Sequence, residues 1–319
     1  MIKLKYRWFT FVFCLHLLLT GPIQPAHAGA TEWMDIRIVN GLLLVETEVA
    51  GIAGVSVVDT GATLEAINAR FLEAEGLSFK KDRKLTVTGV HGKQERSSYR
   101  EIPATVFGSE VVFTRLVELE LGSPDIQLLL GANFVDNYIF QFDYVNERMR
   151  LITRDSLDLK AIRNIESKLD RSNNSLLVRV GLEEDAGAWL VMDTGSTGGI
   201  LISRTLASRL DWLDTYPKVD GMSFGAVSSG EMEYFRVPSI EVGPFELENV
   251  LVSIPAAGED PELFETSAET GTRIASRQAS AGLLGYDILQ HFVVTIDYDR
   301  GHVHFYPGEK AAAESDEGQ

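Results

Sequence analysis

The sequence predicts a mostly β protein built from one unit that occurs twice. Residues 57–63, Val-Val-Asp-Thr-Gly-Ala-Thr, return as residues 191–197, Val-Met-Asp-Thr-Gly-Ser-Thr. The segments around the two copies match at nearly constant spacing. Within each copy, short apolar runs with period-two alternation are bounded by Gly, Asn, Asp and Pro, a pattern typical of strands.

The spacing of the repeat holds to one residue. Leu-Leu-Val segments at 43–45 and 176–178 begin 16 and 17 residues before the aspartate of each copy. An apolar pair followed by glycine closes each copy, at 129–131 and 283–285. A chance tripeptide would not carry matching neighbours, so this is an internal duplication.

Most of the elements are predicted as strands. Residues 36–38 and 42–49 flank the Asn40-Gly41 turn and predict a hairpin. A further strand leads into each Asp-Thr-Gly. The other predictions are strands at 85–88, 110–116, 139–143 and 149–153 with counterparts in the second copy, helices at 67–76 and 202–210, and a hairpin turn at 299–301.

These elements divide the chain into two lobes, at residues 31–155 and 174–309, joined by a polar linker at 156–173. The second copy is longer than the first. Gly131 follows Pro103 by 28 residues, whereas the matching Gly285 follows Pro238 by 47. The additional residues fall within 255–281 and predict an exposed loop, which is either a solvated insertion or a loop that covers or narrows the cleft between the lobes. Residues 310–319 predict a disordered tail.

The amino terminus predicts a secretory signal peptide over residues 1–28. Its apolar run of 13 residues is shorter than the roughly 20 needed to span a bilayer. We expect cleavage near Ala28, an exported protein that is periplasmic or secreted, and no stable membrane insertion after cleavage. The supporting features are Lys3, Lys5 and Arg7, the apolar run 8–20, and Ala26-His27-Ala28.

Composition excludes several classes of function. Asp and Glu number 46 against 29 Lys and Arg, giving a formal charge of −17 that disfavours nucleic acid as a partner. Cys14, inside the signal, is the only cysteine of the chain, so neither a disulfide framework nor a thiolate metal cluster is expected. His302 and His304 share a strand face, which more often faces water than binds metal. No cofactor or metal is expected.

The repeated aspartates predict a paired-carboxylate site. Asp59 and Asp193 each follow an apolar strand, and twofold-related lobes can bring them face to face at the axis. Two adjacent carboxyls do not both ionise easily, so one stays protonated while the other is charged. Such a pair supplies an acid and a base together. Thr60 and Thr194 are placed to hydrogen-bond across the axis. A serine hydrolase is disfavoured because a threonine stands where the nucleophile elbow requires glycine.

The doubled Asp-Thr-Gly, each followed by an apolar pair and glycine, resembles the aspartic peptidases, both pepsin-like and retropepsin-like. The resemblance spans about residues 31–309 and is that of two fused retropepsin-like domains in a bacterial exported protein. It implies an all-β, bilobal aspartic-peptidase fold, with two β-barrel-like lobes, a short helix in each, and the cleft between them. It also implies catalysis by Asp59 and Asp193, supported by Thr60, Gly61, Thr194, Gly195 and Ser196.

The resemblance further implies hairpin flaps over a bound peptide. One candidate runs from 85 to 99, and the other from 221 to 234 through residues 228–230. Neither tip has the tyrosine of the pepsin pattern, which favours the retropepsin comparison. The substrate-binding tip residues are expected to be Gly89, Val90, His91, Gly92, Phe224 and Gly225.

One difference between the copies bears on the chemistry. Ser196 follows Asp193 at the position where Ala62 follows Asp59. If the Ser196 hydroxyl donates to the Asp193 carboxylate, it lowers the pKa of Asp193 and makes that residue the more readily ionised member.

The expected function is that of an aspartic endopeptidase, a monomer with an intramolecular pseudo-twofold pair of aspartates that cleaves an extended polypeptide lying across both lobes. The alternative is a catalytically silent peptide-binding protein that uses the same cleft, since a fold does not guarantee an activity.

Overall fold

The structure, a computed structural model, consists mostly of β-sheet. It describes residues 29–184, 186–225, 228–259 and 280–310. Within these ranges there are 25 strands and six short helices, and the prediction of an all-β chain is confirmed at this level. The predicted signal peptide at 1–28, the tail after Lys310 and the centre of the 255–281 loop lie outside the described residues.

The first sheet has ten strands, all between residues 37 and 130. Their order is β11 (Ser109–Phe113), β10 (Ile102–Val106), β3 (Leu42–Val49), β4 (Ile52–Val58), β13 (Ile126–Leu130), β5 (Ala66–Asn68), β12 (Leu116–Leu119), β9 (Ser98–Arg100) and β6 (Lys80–Lys81), with β2 (Arg37–Val39) paired to β3. β4 lies between antiparallel β3 and parallel β13. The strand that leads to the first Asp-Thr-Gly is therefore central in its sheet.

The second sheet has eight strands, between residues 167 and 284. Their order is β16 (Ser167–Asp170), β17 (Ser175–Glu183), β18 (Ala186–Met192), β23 (Gly282–Leu284), β19 (Ile200–Ile202), β22 (Phe245–Pro255), β21 (Ser229–Val242) and β20 (Val219–Phe224). β18 lies between antiparallel β17 and parallel β23, as β4 does between β3 and β13. The segment predicted as a linker, 156–173, contributes the edge strand β16.

The third sheet takes strands from both halves of the chain. Its order is β1 (Met34–Asp35), β15 (Arg148–Ile152), β14 (Ile139–Asp143), β24 (Phe292–Asp297) and β25 (His302–Pro307). β14 and β24 pair antiparallel over five residues, from Ile139 opposite Asp297 to Asp143 opposite Val293. A separate two-stranded hairpin consists of β7 (Leu85–Gly89) and β8 (Gly92–Arg96).

The helices are short, and the two predicted from the sequence are shorter than expected. Residues 67–76 and 202–210 each begin inside a three-residue strand, β5 and β19, and turn helical only after a capping side chain. Asn68 Oδ1 accepts a hydrogen bond from the Arg70 N–H, and Ser203 Oγ accepts one from the Leu206 N–H. Fully buried strands give unbroken apolar runs, which resemble buried helix in sequence.

The six helices are α1 (Ala69–Ala74), α2 (Ala132–Val135), α3 (Leu159–Ile162), α4 (Arg204–Arg209), α5 (Trp212–Thr215) and α6 (Tyr286–Leu289). None of them, in the described part of the chain, has the length and apolar character to cross a membrane. The predicted strand at 110–116 is in fact two strands, because β11 ends at Phe113 and β12 begins at Leu116.

The main hydrophobic core is continuous across the two halves. Phe140 and Phe142 of β14 and Val294 and Ile296 of β24 are fully buried in it. These residues occupy one face of the five-stranded sheet. Burying a side chain of this size contributes roughly 1.5–3 kcal/mol, so this shared face is a large part of what holds the two halves together.

Candidate active site

The two Asp-Thr-Gly loops begin where buried strands end. β4 ends at Val58 and β18 ends at Met192, one residue before each aspartate. The backbone N–H of Asp59 donates to Leu130 O at 3.0 Å, and that of Asp193 donates to Leu284 O at 2.9 Å. Each aspartate is thus held by the last residue of the parallel neighbouring strand, and the apolar-apolar-glycine segment of each repeat supplies that strand.

The threonines join the two loops by four hydrogen bonds. The Thr60 N–H donates to Thr194 Oγ1 at 3.0 Å, and the Thr194 N–H donates to Thr60 Oγ1 at 3.1 Å. Each hydroxyl in turn donates to a strand of the other half, Thr60 to Met192 O and Thr194 to Val58 O, both at 2.7 Å. Both threonines are almost completely buried. The two loops therefore form one rigid unit.

The glycines let the carboxyl groups approach each other. A Cβ atom on Gly61 would lie 2.4 Å from Cγ of Asp193, and one on Gly195 would lie 2.4 Å from Cγ of Asp59. Real Cβ contacts are never this short. Neither glycine has a positive φ, so the requirement is for space rather than for a left-handed backbone. Each carboxyl packs against the glycine of the opposite loop, and the two carboxyls share a hydrogen bond.

The two aspartates are not equivalent. Asp59 Oδ1 accepts hydrogen bonds from the N–H groups of Gly61 at 2.9 Å and Ala62 at 3.0 Å, and Asp59 is partly exposed. Asp193 Oδ1 accepts a bond from the Gly195 N–H at 2.8 Å and is 9% exposed. Hydrogen bonds and solvent both favour a charged carboxylate, so the surroundings favour ionisation of Asp59.

The pKa shifts of the two aspartates indicate the same asymmetry as their hydrogen bonds and exposure. Burial raises the pKa of Asp59, while hydrogen bonds from Asp193 and the backbone oppose the shift. Burial, followed by the negative charge of Asp59, raises the pKa of Asp193 well above its ordinary value. Both observations favour the proton on Asp193 and the negative charge on Asp59.

The role predicted for the Ser196 hydroxyl is not the one observed. The hydroxyl makes no hydrogen bond to Asp193 among the described residues, and its oxygen would lie 2.8 Å from a Cβ on Gly285. Ser196 instead lowers the pKa of Asp193 through its backbone N–H, which only partly offsets the rise caused by burial and by Asp59. The Ser196 carbonyl accepts a bond from the Tyr286 N–H at 2.8 Å. Whether the Ser196 hydroxyl reaches Asp193 depends on the direction of the Ser196 side chain, which the sequence does not specify.

A tyrosine missed by the sequence analysis supports the first loop. Tyr298 follows β24 and is fully buried, and its hydroxyl lies 3.0 Å from Thr60 O and 2.8 Å from Asn174 O. It also accepts the Leu176 N–H at 3.2 Å. The repeat offered a signal, because Phe142-Asp143-Tyr144 and Ile296-Asp297-Tyr298 end equivalent strands.

Tyr144, which is the equivalent of Tyr298 in the first half, differs from it in hydrogen bonding. The Tyr144 hydroxyl is buried and has no hydrogen-bond partner in the described part of the chain. Burial is the main cause that raises the pKa of Tyr144. The two halves thus support their Asp-Thr-Gly loops unequally.

The predicted flap tips touch each other. β7 and β8 form one hairpin with Val90 and His91 at its turn, and β20 and β21 form the other. Ser228 Oγ donates to His91 O at 2.7 Å. A Cβ on Gly230 would lie 2.3 Å from Nδ1 of His91, so the imidazole lies directly against that backbone.

The remaining predicted tip residues divide between the interior and solvent. Gly89 and Gly92 close the first turn, and Gly92 lies near Ser228. Gly225 faces His91, whereas Phe224 is 85% exposed and points to solvent.

The tip of the first hairpin also contacts the apolar wall of the second half. Val90 packs against a buried cluster of five side chains: Leu177, Val191, Leu201, Met232 and Leu283. Val191 lies on β18, two residues before Asp193. The contact places the first hairpin tip near the second Asp-Thr-Gly loop.

The described residues offer no group of three or more His, Cys, Asp or Glu side chains arranged to hold a metal ion. His304 Nδ1 donates to Ile162 O at 2.8 Å, which ties its ring to the end of α3. Burial lowers the pKa of His302.

The comparisons with known proteins agree with this geometry. No curated protein matches the chain. Residues 178–288 match the family model described as Aspartyl protease, a region that contains Asp193, Thr194 and Gly195. The match indicates a hydrolase of the aspartic protease type, and with two Asp-Thr-Gly loops that face each other it supports an aspartic protease family for this chain.

Proposed function

We propose that the chain is an aspartic endopeptidase in which Asp59 and Asp193 form a shared catalytic pair. The observation that carries the proposal is the close contact of the two loops. Each carboxyl packs against the opposite glycine, and the threonines tie the loops together by four hydrogen bonds. A fold alone would not require two adjacent carboxyls with raised pKa values at one point.

The asymmetry of the pair assigns a role to each carboxyl. Asp59, ionised, takes a proton from a water whose oxygen attacks the peptide carbonyl carbon. Asp193, protonated, gives its proton to the carbonyl oxygen, and a tetrahedral diol forms. Asp59 then passes its proton to the amide nitrogen as the C–N bond breaks. A diol hydroxyl returns a proton to Asp193, so both residues regain their starting states.

We propose further that the chain consists of two fused retropepsin-like units. The strand order β3-β4-β13-β5-β12-β9 in the first sheet matches β17-β18-β23-β19-β22-β21 in the second. Together with the repeated sequence, this order supports duplication. A monomer would then contain the complete pair.

The substrate is proposed to be an extended polypeptide held between the two hairpin tips. Strand backbone in β8 and β20 supplies hydrogen-bonding groups of the kind that pair with an extended peptide. The amino-terminal sequence supports export to the periplasm or the exterior, with cleavage near Ala28.

The test is peptide-library cleavage followed by mass spectrometry, at roughly pH 4 to 7.5, with the wild type, Asp59→Asn and Asp193→Asn. We expect each substitution to reduce cleavage at least ~10³-fold, because one acid and one base are both needed. Asp35→Asn, which changes an exposed aspartate, is the matched control.

Circular dichroism establishes that each variant is folded. Cleavage that survives in either catalytic variant would refute the shared pair. A folded wild type that binds library peptides saturably but cleaves none would establish the silent peptide-binding alternative instead.

A further inference from the structure

A cavity of about 480 Å³ lies on the five-stranded sheet, on the face opposite the shared core. Its lining residues include none of the Asp-Thr-Gly loops or hairpin tips. Cavities of about 300–1,000 Å³ with apolar walls and a few convergent polar groups are typical of small-molecule sites.

The polar groups form one row across four strands. Arg150 of β15 lies opposite Gln141 of β14, which lies opposite Thr295 of β24, which lies opposite His304 of β25. Arg150 Nε donates to Gln141 Oε1 at 2.7 Å, and Gln141 Nε2 donates to Thr295 Oγ1 at 2.8 Å. The row is therefore held in place before any ligand arrives.

The guanidinium of Arg150 keeps its terminal nitrogens available. Its central carbon lies 4.5 Å from the ring centroid of Trp33, which fixes the plane of the group. Those terminal nitrogens make no hydrogen bond to the described residues. A planar guanidinium with two free N–H groups matches a carboxylate, which it can bind through two parallel hydrogen bonds.

His304 adds a second polar group at the other end of the row. Its Nδ1 faces the Ile162 carbonyl at 2.8 Å, and because a carbonyl only accepts, that nitrogen carries the proton. Nε2 is then the acceptor of the neutral ring and is available to an N–H or O–H group of a ligand. The Thr295 hydroxyl accepts from Gln141 and keeps its own proton to donate.

The walls of the cavity are partly apolar, and charged side chains lie near it. Val293 forms part of the wall, and Ile162 and Tyr306, 48% and 57% exposed, stand beside it. At the same face, Lys160, Arg163, Arg300 and the carboxylate of Asp297 all act electrostatically on His302.

We propose that this cavity binds a monocarboxylate with a short apolar chain. Arg150 would hold the carboxylate, and Ile162, Val293 and Tyr306 would contact the chain. Two sources share this chemistry, a fatty acid and the carboxyl-terminal residue of an apolar peptide. The inference stands apart from peptide cleavage, and its test needs no catalytic activity.

The test is isothermal titration of the whole protein with octanoate and with N-acetylleucine, while Trp33 fluorescence reports on the site. We expect saturable binding of at least one carboxylate with a change in Trp33 emission, and the tighter ligand identifies the source. Arg150→Met should weaken binding about tenfold or more, because it removes the paired hydrogen bonds. Arg209→Met, which changes an exposed arginine on α4, should leave binding unchanged.

Uncharged analogues test whether the site requires the carboxylate, and inorganic phosphate tests whether an anion without an apolar chain is enough. Octanol and N-acetylleucinamide should bind at least about tenfold more weakly than the matching acids, and phosphate alone should not compete. Ile162→Glu, at an exposed position, should weaken carboxylate binding by charge repulsion without affecting the fold. The proposal is overturned if neither carboxylate binds below about 10 mM, if the neutral analogues bind equally well, or if Arg150→Met binds as the wild type does.

Discussion

The absence of a side chain at Gly61 and Gly195 sets how closely the carboxyls of Asp59 and Asp193 approach. The repeated sequence identified these glycines as supporting residues, without saying how they act. The structure gives the reason, since neither φ is positive and each glycine contacts the opposite carboxyl. The motif is therefore a packing requirement between two loops, not a property of either loop alone.

Gly61→Ala and Gly195→Ala should each reduce kcat/KM by at least about 100-fold, because the new methyl group must push the opposite carboxyl aside and misplacements of about 1 Å have effects of this size. Overpacking should also lower the free energy of unfolding by about 1–3 kcal/mol. Gly198→Ala is the matched control, because a Cβ there meets nothing within 4 Å. Peptide cleavage and urea denaturation measure both effects, and wild-type kinetics in both variants would contradict the account.

The raised pKa of Asp193 predicts how stability varies with pH. A carboxyl whose pKa is higher in the folded than in the unfolded state stabilises the fold fully below its unfolded value, and this contribution is lost as pH rises through the folded value. Asp193 should therefore make the wild type lose stability as pH rises above 3.8, the ordinary aspartate value. Asp193→Asn cannot ionise and should flatten that decline. Urea denaturation from acid to neutral pH measures it, and parallel curves for the two proteins would exclude Asp193 as the source.

At the scale of elements, the end of β24 supports the first Asp-Thr-Gly loop. Tyr298 reaches from the shared sheet to the carbonyl of Thr60, which belongs to the other half of the chain. The same hydroxyl accepts the Leu176 N–H at the start of β17. One buried hydroxyl thus links three segments that are far apart in sequence.

Tyr298→Phe should lower the free energy of unfolding by about 1–3 kcal/mol, because it leaves buried backbone groups without partners. Tyr144→Phe should be neutral or stabilising, since the Tyr144 hydroxyl has no partner among the described residues to lose. The pair forms a matched comparison, with the same atom removed at equivalent positions. Chemical denaturation measures both, and an equal loss in the two variants would show that the Tyr298 contacts contribute nothing specific.

The elements predicted well are those whose pattern is local. The hairpin around Asn40 and Gly41 and the strand leading to Asp59 follow from turn residues and alternation, and both are present. Buried three-residue strands such as β5 were not predicted, because an unbroken apolar run fits helix and strand alike. The direction of Ser196 and the contacts of Tyr298 depend on side-chain conformation and long-range packing, which no local pattern specifies.

At the scale of the whole molecule, the five-stranded sheet joins the halves. The repeat predicted two separate lobes, yet β14 and β24 from different halves pair directly. Arg154 reinforces the junction, because its Nε donates to Asp297 Oδ1 at 2.8 Å and its terminal nitrogens bond to the Asp136 and Asn137 carbonyls. Asp297 is only 1% exposed, so the carboxylate of this ion pair is buried.

Arg154→Met should destabilise the protein by about 3–5 kcal/mol, because it leaves the Asp297 carboxylate buried with Arg300 only at 3.7 Å. Arg70→Met is the control: it breaks an exposed pair with Glu120 at 3.5 Å and should change stability by no more than about 1 kcal/mol.

Because the core is continuous, wild-type unfolding should show a single transition by fluorescence and by circular dichroism. Two separated transitions would show that the halves fold independently.

The presence of both Asp-Thr-Gly loops in one chain has a consequence at low protein concentration. Retropepsin-like units on separate chains must meet before their aspartates can pair, so mass action would reduce the fraction of complete sites on dilution. Here Thr60 and Thr194 belong to one chain, and covalent connection keeps their effective concentration high however dilute the protein becomes. Such an arrangement would suit the export that we propose, because a partner copy would be rare in a large volume.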